Sequence, residues 1–227
     1  SRALKIETQG ARATGLSYLS QGKVIQAKAK KEVILCAGAL YSPHLLMHSG
    51  VGPKDVLDKF DIPVVQANEN VGKNLQDHIL AVVNAELKEG KFDARHLLTQ
   101  GHGPELLKRS FIDFGGFLNS GILQDSKDKP EWSDLQFYWF PLFTWGKTDG
   151  STHLGKKGYC IIPVVNRPMS RGHVTLNSPD PLARPEVDPN YLSDQEGVDL
   201  RVLKRGIEIA LEIFEQPVLK EEIGAIV

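Results

Sequence analysis

The 227-residue chain has the composition of an ordinary folded protein of one or two domains, with 41% hydrophobic and 24% charged residues. Its 27 basic and 28 acidic residues leave a formal charge of −1, so there is no basic excess for binding nucleic acid. Two cysteines cannot make a disulfide framework, and no apolar run approaches the length needed to span a bilayer. No segment joins a basic start to a hydrophobic signal-peptide core. The chain opens with Ser1, and "SRALKIE" already has a strand pattern, which we interpret as a piece of a longer polypeptide of unassigned compartment.

Short strands joined by turns are predicted for the first thirty residues. The stretches "ALKIET" and "ATGLSYLSQGKVIQAKAK" alternate apolar with polar residues, and we expect breaks at Gly15 and at Gln21-Gly22. The next run, "EVILCA", is apolar without alternation and therefore predicts a strand buried on both faces, as in a parallel sheet. Within it, Cys36 is expected to be a buried structural thiol.

A short helix is predicted in "GALYSPHLLMHSGVG", residues 38–52, directly after that strand. Ser42 can cap a helix that starts at Pro43, where a missing N–H costs nothing, and Ser49-Gly50 supplies the stop. Open α/β sheets bind ligands where a strand ends on glycine beside a helix N-terminus, because the backbone can approach the ligand closely. A tight turn without any ligand remains the alternative for such a joint.

From His78 onward the predicted strands alternate apolar with polar residues, as in "HILAVVNAEL", "DLQFYWF" and "GHVTLN". This pattern is typical of an antiparallel sheet with one wet face. A helix that ends before Pro217 is predicted near the end of the chain. Its apolar stripe is formed by Val198, Val202, Ile209 and Phe214.

Two side-chain patterns suggest sites of their own. On the strand "FYWF", Phe137 and Trp139 share one face, so they can line a pocket or pack in the core. His44 and His48 have the i, i+4 spacing of a metal-binding pair, but no H-E-x-x-H glutamate and no third ligand accompany them. No metal site is predicted. A G-x-S-x-G elbow and a phosphate-loop lysine motif are also missing, which argues against a serine hydrolase and a P-loop enzyme.

The string at residues 38–52 carries a family resemblance. The spacing of "GA", "SP", "LL" and "SGVG" within it is similar, without a mismatch, to the second signature of the glucose-methanol-choline (GMC) oxidoreductases, a family of FAD-dependent alcohol oxidases and dehydrogenases. The stretches "RATGLSY", "GVGPKDVLDKFDIPVV", "NVGKNLQDH" and "RPMSRGHVTLNSPDPLARPEVDPNYL" follow the family's order. The resemblance therefore covers nearly the whole chain, and it is closest to the glucose dehydrogenase-like branch.

The resemblance implies a mixed fold class, α+β and α/β, in two domains. Residues 1–78 would be the later part of a glutathione-reductase-type FAD-binding domain, with a β-meander, the last parallel strand and the signature helix. Residues 79–227 would be a substrate-binding domain built on an antiparallel sheet with helices, incomplete at its C-terminus.

The implied function is that of a segment of an FAD-dependent oxidoreductase acting on the CH–OH group of an alcohol, sugar or polyol. Hydride would pass to the flavin and the proton to a histidine outside this chain, with oxygen or a quinone as electron acceptor. The G-x-G-x-x-G turn that binds the pyrophosphate of a dinucleotide does not occur in these 227 residues. We therefore expect this segment alone to be inactive and to contain no catalytic residue. The alternative is a truncated, non-catalytic substrate-domain remnant that binds a small polyol or a protein partner.

Site residues carry over from the resemblance only where the strings match. The implied cofactor-binding residues are Ala3, Ala37, Gly38, Ala39, Asn74, Asp77 and His78. Ala3 would meet the adenine end through its backbone, or else be a plain strand residue. The residues from Asn74 to His78, including Gln76, would lie near the flavin at the domain junction, or else form a polar loop that bonds local backbone. Phe137 and Trp139 would line the substrate cavity.

Overall fold

The computed structural model describes residues 1–91, 114–123, 132–141 and 157–227. In chain order its elements are β1 (Arg2–Gln9), β2 (Arg12–Ser20), β3 (Lys23–Lys28), α1 (Gly38–His48), β4 (Val51–Gly52), α2 (Lys54–Lys59), β5 (Gln66–Ala67), β6 (Lys73–Leu75), β7 (Ile79–Leu80), β8 (Val83–Leu87), β9 (Phe114–Leu118), β10 (Leu135–Phe140), β11 (Gly158–Val165), β12 (Gly172–Thr175), β13 (Glu186–Asp188), α3 (Val198–Phe214), α4 (Pro217–Lys220) and β14 (Ile223–Ile226). This mixture of helices and mainly antiparallel sheets confirms the predicted fold class.

The chain divides into two compact units. The first unit contains Ser1–Asp77 and Ser170–Ser193, and the second contains His78–Met169 and Asp194–Val227. The family resemblance implies that residues 79–227 form one domain. In the structure, the segment Ser170–Ser193 belongs to the first unit. The division into a cofactor domain and a substrate domain stays a prediction.

The first unit opens with the antiparallel sheet β1-β2-β3 that the alternating pattern predicts. Gln21 and Gly22 form its second turn with φ values of 48° and 73°, the two positive φ angles of a type I′ hairpin. The predicted break at Gly15 is wrong, because Gly15 lies inside β2. An added Cβ there would meet the Ala27 carbonyl oxygen at 2.3 Å, so glycine serves close strand packing instead of a turn.

The prediction of a doubly buried strand at "EVILCA" is wrong. Residues 32–36 form no strand, and the Ile34 side chain is 76% exposed. A strand buried on both faces needs a neighbour on each side, and none of the strands in the described ranges pairs with this segment. Cys36 is consequently an exposed thiol instead of a buried one.

Helix α1 starts five residues earlier than the capping pattern predicts. Pro43 lies inside the helix, and the Ser42 hydroxyl oxygen accepts a hydrogen bond from the Ala37 amide at 3.2 Å. Gly38 begins the helix with a φ of 80°, a left-handed conformation that lets the chain turn into α1. The predicted stop is confirmed, because Gly50 follows the helix with a φ of 82°.

The remaining elements of the first unit pack around α1. Strands β4 and β5 form a parallel pair, and β13, β12 and β6 form an antiparallel sheet in that order. The buried residues Met47, Leu57 and Leu176 form the centre of this core. Half-buried apolar residues surround them: Val56, Phe60, Ile62 and Val71.

The second unit is built on an antiparallel sheet of six strands, in the order β14-β8-β11-β10-β9, with β7 paired to β11. Helix α3 covers one face of this sheet, and its stripe agrees with the predicted one. Val198, Val202 and Phe214 are buried, while Ile209 is half-buried against the same core. Across the described ranges, we find no helix with the length and apolar character needed to cross a membrane.

Candidate cofactor-side cavity

A cavity of about 440 Å³ lies within the first unit, between the first turns of α1 and the segment around β6. The α1 wall of the cavity consists of Ala39, Ser42, Pro43 and Leu46. The opposite wall, called here the β6 wall, consists of residues 71–76, and Val174 of β12 completes the lining. The cavity is therefore lined by residues from three of the stretches that carry the family resemblance.

The α1 wall is presented by a helix whose C-terminal half is fixed. The Ile6 amide of β1 donates a hydrogen bond to the Ser49 hydroxyl at 2.8 Å, and that hydroxyl donates to the Leu45 carbonyl at 2.6 Å. At the other end, an added Cβ on Gly38 would find no atom within 4 Å. No side-chain cap bond is made at the N-cap residue Ala37, and a helix N-terminus favours negative charge.

The β6 wall is held against β12 by close backbone contact. The Val174 amide donates to the Gly72 carbonyl at 2.7 Å, and an added Cβ on Gly72 would meet the Val174 carbonyl oxygen at 2.1 Å. Two residues further on, Asn74 has a φ of 59°, which turns the chain within the wall. Lys73 is the one charged residue among the described lining residues.

The structure brings two of the predicted cofactor-binding segments together. Ala39 and Asn74 line the same cavity, and Gln76 joins them. Ala37 and Gly38 lie exposed at the start of α1, outside the lining. Their proposed contacts with a cofactor stay predictions.

The other predicted residues lie outside the lining. Ala3 is exposed on β1, while Asp77 and His78 directly follow the β6 wall. The Asp77 carboxylate accepts a hydrogen bond from the Tyr191 hydroxyl, which raises the pKa of Tyr191 above its usual value. Sequence reasoning missed Lys73 and Ser42 as lining residues, although both lie inside the matching strings.

The histidine pair of α1 is buried and does not belong to the cavity lining. The two Nε2 atoms of His44 and His48 are 3.2 Å apart, and the side chains are 4% and 7% exposed. Burial, with the neighbouring His44 as a second cause, lowers the pKa of His48 to about 4. Burial and the charge of Arg2 also lower the pKa of His44. No cluster of three potential metal ligands occurs in the described part of the chain.

Phe137 and Trp139 lie on one face of β10, as their alternation predicts, and they are 8% and 9% exposed. Both belong to the core under α3, where the Trp139 and Phe214 ring centroids are 5.8 Å apart. They also line a second cavity of about 450 Å³ within the second unit. That cavity is mainly apolar, and a role of either residue in substrate contact stays a prediction.

Comparisons with known proteins agree on one family. Two family models described as GMC oxidoreductase match the chain, the N-terminal one over residues 1–80 and the C-terminal one over residues 168–226. An oxygen-dependent choline dehydrogenase from Chromohalobacter salexigens is 34% identical over 226 residues, covering 96% of this chain and 39% of its own length. The chain thus spans about two fifths of this relative.

Solved structures share the fold. A variant of the Aspergillus oryzae formate oxidase, studied for modification of its FAD, has a TM-score of 0.80 at 20% identity, covering 99% of this chain and 44% of that one. An FAD-dependent oxidoreductase from Chaetomium thermophilum has a TM-score of 0.75 at 22% identity, covering 96% and 44%. These proteins do not test the glucose dehydrogenase-like branch, which stays a prediction. From the two family models and the matching strings, the chain belongs to the GMC oxidoreductase family.

Proposed function

We propose that this chain forms part of an FAD-dependent oxidoreductase that oxidises the CH–OH group of an alcohol, sugar or polyol. Family membership supports the reaction class. The name of the choline dehydrogenase relative supports an alcohol substrate, and the two structural neighbours support FAD as the cofactor. The chain covers 39% of that relative, so the activity belongs to a longer protein in this proposal.

The observation that carries the proposal is the cavity between α1 and the β6 wall. Its volume of about 440 Å³ falls within the roughly 300 to 1,000 Å³ typical of ligand pockets. The cavity would hold a part of FAD, and the rest would lie against other surfaces of the protein.

The lining suits an anionic dinucleotide. The N-terminus of α1, where Ala39 lines the cavity, and the Lys73 ammonium group would stabilise negative charge. The side-chain amides of Asn74 and Gln76 can donate and accept hydrogen bonds, and Leu46 and Val174 offer apolar contact that excludes water. Bound FAD would supply the acceptor for the hydride of the alcohol carbon.

We assign transfer of the alcohol's hydroxyl proton to a residue outside this cavity. Oxidation of an alcohol to a carbonyl removes one hydride and one proton, so a base must accept the hydroxyl proton. The described lining residues include no carboxylate and no histidine. The proton must therefore pass to a residue outside this lining, and in our proposal that residue is a histidine outside this chain.

The test uses the longest open reading frame that contains these 227 residues. We expect the purified protein to carry FAD and its flavin to lose absorbance when an alcohol substrate is added without oxygen. A G-x-G-x-x-G turn before Ser1 and a histidine after Val227 would support the enzyme. Stop codons on both sides would instead support the non-catalytic remnant.

Gly38→Val tests the cofactor side of α1 with Gly10→Val as its matched control. Both glycines have positive φ values, 80° and 59°, and an added Cβ meets no atom within 4 Å at either position. A β-branched residue is therefore strained to a similar degree at both. We expect Gly38→Val to lower the flavin content and Gly10→Val to leave it unchanged. Equal flavin content in the two variants would contradict the proposal.

A further inference from the structure

We infer that Tyr191 is a positioning residue that holds the β6 wall, through Asp77, in the orientation that the cofactor requires. This inference rests on the proposed function. It concerns a residue that lies outside the cavity lining and that acts through another residue.

The contact joins distant parts of the chain. The Tyr191 hydroxyl donates a hydrogen bond to Oδ2 of Asp77 across 114 positions of sequence. Asp77 follows Gln76, the last lining residue of the β6 wall. A bond at this position therefore limits the movement of the cavity lining.

The backbone pairing of β6 with β12, called here its ladder, ends before Asp77. Strand β6 pairs with β12 through Gly172 opposite Leu75 and His173 opposite Lys73. Residues 76 and 77 lie beyond the strand, where its ladder gives no anchor. The bond from Tyr191 supplies one at the end where the ladder no longer reaches.

The segment that carries Tyr191 is itself firmly placed. Asn190 and Leu192, on either side, have φ values of 50° and 58°. Such backbone is unfavourable, above all for leucine, and persists where the surroundings fix it. The Asn190 side-chain amide donates to the Arg171 carbonyl at 3.0 Å, and the Ser193 amide donates to the Ser170 hydroxyl at 3.0 Å. These bonds hold the chain on both sides of Tyr191.

The first arm of the test measures amide hydrogen exchange, without added FAD, on the protein encoded by the longest open reading frame that contains these 227 residues. We expect Tyr191→Phe to speed exchange at residues 74–77 roughly three- to tenfold, the loss of about one hydrogen bond, while α1 exchanges as before. Tyr18→Phe, on β2 of the same unit, is the control and should change neither region. Asp77→Asn keeps an acceptor oxygen and should speed exchange less than Tyr191→Phe.

A tyrosinate titration by absorbance gives a signature that a general loss of stability does not produce. The hydrogen bond to Asp77 is the main cause that raises the pKa of Tyr191. Asp77→Asn should therefore lower the pKa of one tyrosine, and Tyr191→Phe should remove the titration of that same tyrosine. An unchanged titration would overturn the inference.

The second arm measures the FAD affinity of the protein encoded by the longest open reading frame. We expect Tyr191→Phe to raise the FAD dissociation constant roughly three- to tenfold, with Tyr18→Phe unchanged. Unchanged exchange at residues 74–77 overturns the inference, and so does faster exchange with unchanged FAD affinity. If the parent protein binds no FAD, the proposed function fails first, and the exchange arm still decides whether Tyr191 holds the wall.

Discussion

We predict that α1 loses stability in mild acid, because it contains the buried pair His44 and His48. A hydrogen bond between Nε2 atoms 3.2 Å apart requires one ring to donate its Nε2 proton and the other ring to accept it. A proton added to the accepting Nε2 would bring two donors face to face. Lowering the pH from 7 to 4 therefore tests whether protonation of this pair destabilises α1.

The charges around the pair favour the neutral form. Arg2 on β1 lowers the pKa of His44, and the neighbouring His44 lowers that of His48. Asp180, in the loop between β12 and β13, acts in the opposite direction on His48, but burial has the larger effect. Strand β4, which also packs against α1, contributes Val51 and Gly52 and no titratable side chain.

The magnitude follows from the pKa of His48. That pKa is about 4 in the folded chain, against about 6.5 for an unperturbed histidine. The unfolded chain therefore binds the proton first as the pH falls, and the stabilisation is complete above pH 6.5. Between pH 6.5 and about 4 the chain loses about 3 kcal/mol from His48, because each pKa unit corresponds to about 1.4 kcal/mol.

Amide hydrogen exchange of α1, corrected for the intrinsic effect of pH, is the suitable assay. Tryptophan fluorescence is less suitable, because Trp132 and Trp139 belong to the second unit and α1 belongs to the first. We expect protection of α1 to fall roughly a hundredfold between pH 6.5 and 4. His48→Leu should reduce this dependence and the control His173→Leu should keep it. Constant protection down to pH 4, or an unchanged pH dependence in His48→Leu, would refute the reasoning.

Two further predictions concern stability. Gly50→Ala should cost about 2 kcal/mol or more in denaturant unfolding, since an added Cβ would meet the Pro63 carbonyl oxygen at 2.3 Å at a φ of 82°. Gly10→Ala, with open space at a φ of 59°, should cost only about 1 to 2 kcal/mol, and equal costs would contradict the packing argument. Trp139→Ala should destabilise the second unit by about 3 to 5 kcal/mol. Trp132→Ala, at a side chain 63% exposed, should cost less than about 1 kcal/mol, as measured by circular dichroism in urea.

Local signals made part of this fold predictable from the sequence. Alternation predicted the first sheet and the two faces of β10, because the side-chain period of a strand is two. The stop of α1 was predictable from Gly50, whose left-handed backbone favours glycine. Its start was not, because the helix begins at the positive φ of Gly38, inside a stretch that resembles the end of a strand.

Long-range pairing explains what the sequence could not predict. A run such as "EVILCA" becomes a buried strand only between two neighbouring strands, and its apolar content does not specify them. The pairing of β6 with β12 joins residues about a hundred positions apart and brings Ser170–Ser193 into the first unit. The contact of Tyr191 with Asp77 joins the same two parts of the chain. The matching strings therefore indicated residues that line the cavity, but they did not indicate this contact.

The central claim is that the cavity between α1 and the β6 wall holds part of the FAD. Amide hydrogen exchange of the longest open reading frame, compared with and without FAD, tests it most directly. We predict that FAD slows exchange at residues 38–42 of α1 and at residues 71–76 of the β6 wall, which line the cavity or begin its helix. Exchange that FAD slows elsewhere in the protein, with both of these segments unchanged, would contradict the claim.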